Sequence, residues 1–393
     1  MSLPALLDRV LSAPLAGVGS RRAIGYLGWD VPVELILAAG AAPVQLASLA
    51  APDDTVLADR YLENSFSAQS RTIAQWWLSG RLDSLSAVIF SRSDDSAQRL
   101  YYYLCELQRF GECKGPQPLL YDLARIGRGT SVEYTVESTH SLATALGADA
   151  GLIDTAIQRV SARFDLLGAL AKLRGAAAVP SGRLAHRIIR AARADWSEAF
   201  DASLREWLAA AATMKPRKRV LLVGSVPADD ELHAAIENDD VVVVGEINEA
   251  FVSAESTATE MSSHARHAGR GISSRARPAA SGVDVGSPSH VSGLSASRGI
   301  EAVARRCYQQ TAVARELLQS PAEIVKVAKA LRADAVIVWM VATDTGLAWE
   351  APRIERALRD AGLPTLMLTS QPQALSAAAL TQIAQFRNAL EVA

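Results

Sequence analysis

Only three cysteines occur among the 393 residues, Cys105, Cys113 and Cys307, and no two of them stand at CxxC spacing. That count excludes a disulfide framework, and nothing around the three marks them as metal ligands rather than ordinary thiols. An excess of one charge is also missing. Forty Lys and Arg face 42 Asp and Glu, a net charge of −2, so no general pull toward nucleic acid or an anionic membrane surface is expected. No apolar run reaches the roughly 18 residues of a transmembrane helix, and the first residues lack the basic start, apolar block and cleavage site of a signal peptide. A cytoplasmic location is the expectation. Phosphate-cradling patterns are absent as well: Gly224-Ser225-Val226-Pro227 has neither GxGxxG spacing nor a P-loop lysine, which argues against a nucleotide enzyme built on that stretch. No triad motif surrounds His140, His186 or His233, and core or surface roles are expected for each. Residues 253–299 contain no aromatic residue and are dominated by Ser, Ala, Gly, Arg and His. Such a stretch buries too little apolar surface to offset its ordering entropy, so it reads as a flexible insertion, with His264, His267 and His290 as solvated loop histidines.

What is present is a large apolar fraction, 49%, in a chain long enough for two domains of ordinary size. After a short helix within residues 1–21, residues 23–27 suit a buried strand, Gly28 and Asp30 mark a turn, and Pro32 occupies a favoured first helical position. Glu34, Leu35, Leu37 and Ala38 carry a short helix to Gly40, and residues 42–46 read as a second strand. Glu34 thus falls in the first turn of a helix above the carboxyl end of a strand, where open α/β sheets place their ligands. The plan recurs: helix over 59–78, strand over 84–90, helix over 97–109, strand over 118–121. Residues 132–214 are mostly helical. A second α/β series follows, with strands at 220–224, 241–244, 335–340 and 364–368 and helices at 229–237, 300–318, 322–331, 348–361 and 374–390. The fold expected is α/β, two doubly wound parallel-sheet lobes of flavodoxin or Rossmann kind. Their bounds are 1–131 and 215–393, joined by a helical connector over 132–214, with the insertion 253–299 in the second lobe.

The two series match in pattern. The loop Ser93-Asp94 leaves the strand ending at Phe90 as Thr343-Asp344 leaves the strand ending at Met340, each with a hydroxyl residue, then aspartate, then a helix. The plain reading is a helix cap. Recurrence at the same place in both lobes points to a cleft shared between them.

Gly25-Tyr26 followed by Pro32-Val33-Glu34-Leu35 and Ala38-Ala39-Gly40-Ala41-Ala42-Pro43 is a fairly specific string. With Val88-Ile89-Phe90 running into Ser93-Asp94, Lys218-Arg219 before the strand to Gly224, and Ala333-Asp334 and Gly362-Leu363-Pro364 near the end, it resembles the 2-hydroxyacyl-CoA dehydratase family, which includes the benzoyl-CoA reductase subunits. The resemblance implies two α/β lobes that typically hold a [4Fe-4S] cluster on three cysteines between them. Aligned by motif, those cysteines match Ser65, Ser93 and Thr343. A thiolate binds iron because it is soft and anionic, and an alcohol at neutral pH is neither. The resemblance therefore implies a chain that binds no cofactor itself, working beside a homologous subunit that bears the [4Fe-4S] cluster and an ATP-dependent iron–sulfur activator protein that feeds it electrons. The substrate would be an acyl-CoA, with Ser65, Ser93, Asp94, Thr343 and Asp344 lining its cleft. Glu34 matches the family's Pro-x-Glu glutamate, a candidate for proton transfer; an N-terminal helix glutamate favoured by the macrodipole is the other reading. A decayed paralogue with an assembly or regulatory role is the alternative. Large side chains filling the space around Ser65, Ser93 and Thr343 would favour that alternative, and an open polar cleft the subunit.

Overall fold

The computed structural model describes residues 2–48, 52, 54–92, 94–124, 129–177, 179–211, 217–251 and 289–392. Within them lie two four-stranded sheets, both entirely parallel. The first, in the order β2-β1-β3-β4, comprises β1 (Ala23–Leu27), β2 (Ala42–Gln45), β3 (Ala87–Ser91) and β4 (Gln117–Tyr121). The second repeats that order as β6-β5-β7-β8, with β5 (Lys218–Gly224), β6 (Val241–Ile247), β7 (Ala335–Val341) and β8 (Thr365–Gln371). Each is an α/β lobe in which the first strand is central. Gly25 lies beside Val44 and Val88 just as Leu222 lies beside Glu246 and Ile337.

Parallel strands covered on both faces have no polar side, which is why β1, β7 and most of β3, β5 and β6 are apolar runs and are buried at nearly every position. Alternation still sorts their side chains between two cores: Leu221, Val223, Val336 and Val338 face one way, Val220, Leu222, Ile337 and Trp339 the other. Two glycines end the central strands. Gly28 (φ +108°) and Gly224 (φ +125°) adopt backbone that L side chains rarely take, and a Cβ on either would collide with the neighbouring strand, at Ser91 in the first lobe and at the Trp339 carbonyl in the second.

The helices after the first sheet, Gly129–Leu146, Ile153–Ala177, Gly182–Ala194 and Glu198–Ala210, are not a separate body. Leu142, Val160, Phe164, Ile188 and Phe200 share one core with Ile24, Tyr26 and Ile89 of the first sheet and with Phe251, Val303 and Cys307 of the second half. Helix Gly182–Ala194 touches both β2 and β6.

Two features differ from the sequence expectations. The helix expected over 59–78 is broken into Val56–Asp59 and Ala68–Leu78, because Glu63, Asn64 and Ser65 form a turn and Ser67 caps the second piece. Of the insertion 253–299, residues 253–288, with His264 and His267, lie outside the described residues. Residues 289–299, His290 among them, are instead the opening turns of helix Ser289–Gln319, which begins eleven residues before the expected 300. An aromatic-free composition marks a weak core, not a missing helix, and Gly299 lets this one pass close to Ile153. No helix among the described residues is long and apolar enough to cross a membrane.

Candidate functional site

The carboxyl ends of β1 and β3 face those of β5 and β7 across a cleft of about 610 Å³. Gly28, Trp29 and Asp30 enter it after β1, Asp94, Asp95 and Ser96 after β3, Gly224 and Ser225 after β5, and Thr343, Asp344 and Thr345 after β7. Ser65 comes from the turn before helix Ala68–Leu78, Arg190 from the connector, and Gln310 and Thr311 from helix Ser289–Gln319. Ligand crevices of open α/β sheets lie at this end of the strands, and here two sheets contribute to one crevice.

Ser65, Asp94, Thr343 and Asp344 all line the cleft; Ser93 lies outside the described residues. Each aspartate is also a cap. Asp94 Oδ1 accepts from the backbone N–H of Ser96 at 2.8 Å at the start of helix Asp95–Arg109, and Asp344 Oδ1 accepts from that of Leu347 at 3.3 Å at the start of helix Thr345–Ala348. Capping and cleft-lining are thus the same fact. Burial raises the pKa of both carboxyls, and the charges of Asp95 and Asp344 add to the rise at Asp94. The two lobes therefore set carboxyls within electrostatic reach of each other. Ser225 Oγ donates to Asp344 Oδ2 at 3.0 Å and accepts from the Val341 N–H at 3.1 Å, tying the ends of β5 and β7.

The Ser65 hydroxyl is held among charges. It donates to Glu63 Oε2 at 3.3 Å and accepts from Arg99 Nη1 at 3.1 Å. Arg99 Nη2 also donates to Glu63 Oε2 at 3.1 Å, Tyr103 donates to Glu63 Oε1 at 3.0 Å, and the guanidinium lies 4.2 Å over the Phe66 ring. This donor set does not fit an iron–sulfur cluster: no thiol lines the cleft among the described residues, and a guanidinium stands against Ser65. The three cysteines do not substitute. None of them lines the cleft, and burial pushes up the thiols of Cys105 and Cys113 and that of the enclosed Cys307, the last up to about 12.

Glu34 is 1% exposed and does not line the cleft. Its Oε2 accepts from Arg306 Nη2 at 2.7 Å, and Arg306 Nη1 donates to Gln310 Oε1 at 2.6 Å, so Glu34 reaches the cleft only through two other side chains. Arg306 and Gln310 were not legible as site residues. Their only signal is four-residue spacing on a helix, which every solvated helical face also shows.

His186, His233 and Glu246 form a second buried cluster, their candidate ligand atoms within 4.8 Å of one another. Glu246 Oε1 already accepts from Arg174 Nη2 at 2.9 Å and lies 2.9 Å from His233 Nε2, while Oε2 accepts from Asn248 at 3.1 Å. The two imidazoles are stacked, centroids 4.6 Å apart and planes 29° apart, so their in-plane lone pairs do not converge on one point. With a guanidinium in the cluster as well, it is a polar tie between the connector and β6, and both histidines are core residues.

No curated protein matches the chain. The family model described as 2-hydroxyglutaryl-CoA dehydratase, D-component, matches residues 28–268, which runs from the end of β1 through the connector to beyond β6 and leaves Thr343 and Asp344 outside. The match takes in more than half of the 393 residues, Glu34, Ser65 and Asp94 among them, and the chain belongs to the 2-hydroxyglutaryl-CoA dehydratase D-component family.

Proposed function

We propose that this chain is a cluster-less subunit of a 2-hydroxyacyl-CoA dehydratase-type enzyme, its interlobe cleft forming part of the acyl-CoA site beside a homologous subunit that carries the [4Fe-4S] cluster. The observation that carries the reading is the state of the cleft. Where the family resemblance sets thiolates, Ser65 and Thr343 stand with Asp94 and Asp344 in an open space of about 610 Å³ with a mixed polar and apolar lining. A decayed cleft has no reason to keep that volume or to keep carboxyls facing one another across it. Loss of water from a 2-hydroxyacyl thioester requires a proton for the departing hydroxyl, and the raised carboxyls of Asp94 and Asp344 suit holding one at a bound acyl group. In this reading the electrons come from the partner subunit and its ATP-dependent activator, and the chain's own residues bind and orient the acyl group.

Co-expression with a cysteine-bearing homologue, anaerobic purification and iron determination on the separated subunits test it. The expected result is a stable hetero-oligomer with iron only in the partner and acyl-CoA bound by the assembly. A chain that neither associates with a homologue nor binds an acyl-CoA would be the decayed paralogue, and iron retained on the isolated chain would overturn the cluster-less assignment.

A further inference from the structure

The interlobe cleft is unevenly charged. Asp30, Asp94, Asp95, Glu249 and Asp344 line it, against two cations among the described residues, Arg99 and Arg190. Both cations already answer acids of the chain itself. Arg99 donates to Glu63 and to Ser65, and the charges of Asp229 and Asp230 bear on Arg190. The wall therefore holds a surplus of carboxyls, and at Asp94 the charges of Asp95 and Asp344 add to the rise that burial causes. A further carboxylate brought into this space would meet like charge, with no cation left over among the described residues to receive it.

The apolar part of the wall suits a different guest. Trp29, the one aromatic residue lining the cleft among the described residues, stands two positions past the end of β1, and Val226 stands two past the end of β5. Each is half-buried, packed on the core that the first sheet shares with the connector and the second half, and otherwise open. The buried Arg193 guanidinium lies 5.6 Å from the centre of the indole and helps to fix it. Matching positions of the two lobes thus give the cleft an apolar surface that hydrocarbon can cover.

We infer that the cleft selects an acyl-CoA whose acyl chain is an uncharged hydrocarbon, with Trp29 and Val226 as specificity-determining residues, and rejects an acyl group that bears a second carboxylate. The inference rests on the acyl-CoA reading of the cleft and narrows its substrate class. The family description names a 2-hydroxyglutaryl group, whose far carboxylate would need a cation of its own here. The phosphates of CoA lie at the far end of the pantetheine arm, so they do not decide which acyl group fits.

Titration calorimetry of the full chain at pH 8, with its partner subunit if the two co-purify, tests this with three probes. They are glutaryl-CoA, 5-methylhexanoyl-CoA, in which an isopropyl group replaces the carboxylate, and free CoA. The neutral probe is expected to bind at least about tenfold more tightly than glutaryl-CoA, through one like charge avoided and apolar surface covered. Trp29→Ala is expected to weaken 5-methylhexanoyl-CoA about tenfold and to leave glutaryl-CoA and free CoA within about twofold. Val226→Ser repeats that test from the other lobe, should the tryptophan variant fold poorly. Asp344→Asn, in which asparagine still caps its helix, is expected to narrow the ratio between the two acyl-CoAs by improving glutaryl-CoA alone. Glutaryl-CoA binding as tightly as the neutral probe, or more tightly, overturns the inference, because the cleft then holds a carboxylate receptor. Equal losses for all three probes in both Trp29→Ala and Val226→Ser, or no loss in either, overturn it as well and leave the acyl-CoA reading standing. If the parent protein binds neither acyl-CoA, that reading falls and takes this one with it.

Discussion

His186 is an imidazole sealed between helix Gly182–Ala194 and the second lobe, 1% exposed, stacked on His233, with neither ring nitrogen hydrogen-bonded. Burial, then the neighbouring His233, holds its pKa well below the usual 6.5; Arg190 and Arg174 push the same way and Glu246 opposes them. The fold thus keeps the neutral ring, whereas the unfolded chain takes up a proton near pH 6.5. This contribution to stability is fully present above the unfolded pKa and is lost as pH falls below about 6.5. Glu246 acts lower on the scale. Burial alone would raise its carboxyl, but His233 and Arg174 hold it down to about 2, so its contribution is lost only as pH falls from its usual 4.5 toward that value. The His186 loss therefore begins at a higher pH than the Glu246 loss. Urea unfolding between about pH 6.5 and pH 5 is expected to show stability falling by as much as about 1.4 kcal/mol per pH unit, one proton's worth. His186→Leu is expected to flatten that slope and leave the loss below pH 4.5 in place. An undiminished slope in the variant would assign the titration to another group.

At the scale of elements, the two glycines that end the central strands are the tightest backbone constraints beside the cleft. Gly224→Ala is expected to cost about 3 kcal/mol or more, because strained backbone at φ +125° is joined by overlap of the new Cβ with the Trp339 carbonyl. Gly40→Ala, at φ +68° with open space around it, serves as the reference and is expected to cost about 1–2 kcal/mol. Equal shifts in thermal melts of the two variants would mean that the strand ends have room to part. Strands and caps were the legible elements for a physical reason. A strand covered on both faces leaves a continuous apolar run, and a hydroxyl residue before aspartate at its end announces both the cap and the side of the sheet where the cleft opens. The helix break at residues 60–67 was hidden by apolar periodicity on either side of Glu63-Asn64-Ser65, and the start of helix Ser289–Gln319 by a composition poor in core-forming residues. Glu34 was legible as a residue near the cleft but not as one end of a Glu34–Arg306–Gln310 chain, since a bond between positions 272 apart leaves no local pattern.

For the molecule as a whole, a cleft made from two sheets is only as well defined as the relation between them. Arg174 is central to that relation. It rises from helix Ile153–Ala177, whose apolar face belongs to the core of the first lobe, and ends in the second, 2% exposed. There Nε donates to the Val243 carbonyl at 2.9 Å, Nη2 to Glu246 at 2.9 Å, and the guanidinium lies 5.0 Å from the centre of the Phe251 ring. With the partly buried Arg306 reaching the buried Glu34 in the other direction, each half of the chain sends a cation into an acceptor of the other, and the two lobes are expected to unfold as one cooperative unit. Arg174→Met keeps the length and apolar bulk of the stem but leaves the buried Glu246 carboxylate without its guanidinium, a loss of about 3–5 kcal/mol for a buried pair broken on one side. That loss falls on the attachment of β6 to the connector and not within either sheet. Scanning calorimetry is therefore expected to resolve the parent's single transition into two, the second lobe melting first, with acyl-CoA affinity weakened although no residue of the cleft has changed. A single transition that merely moves to lower temperature would locate the coupling in the apolar core around Phe164, Phe251 and Val303, and would leave the guanidinium with a local role only.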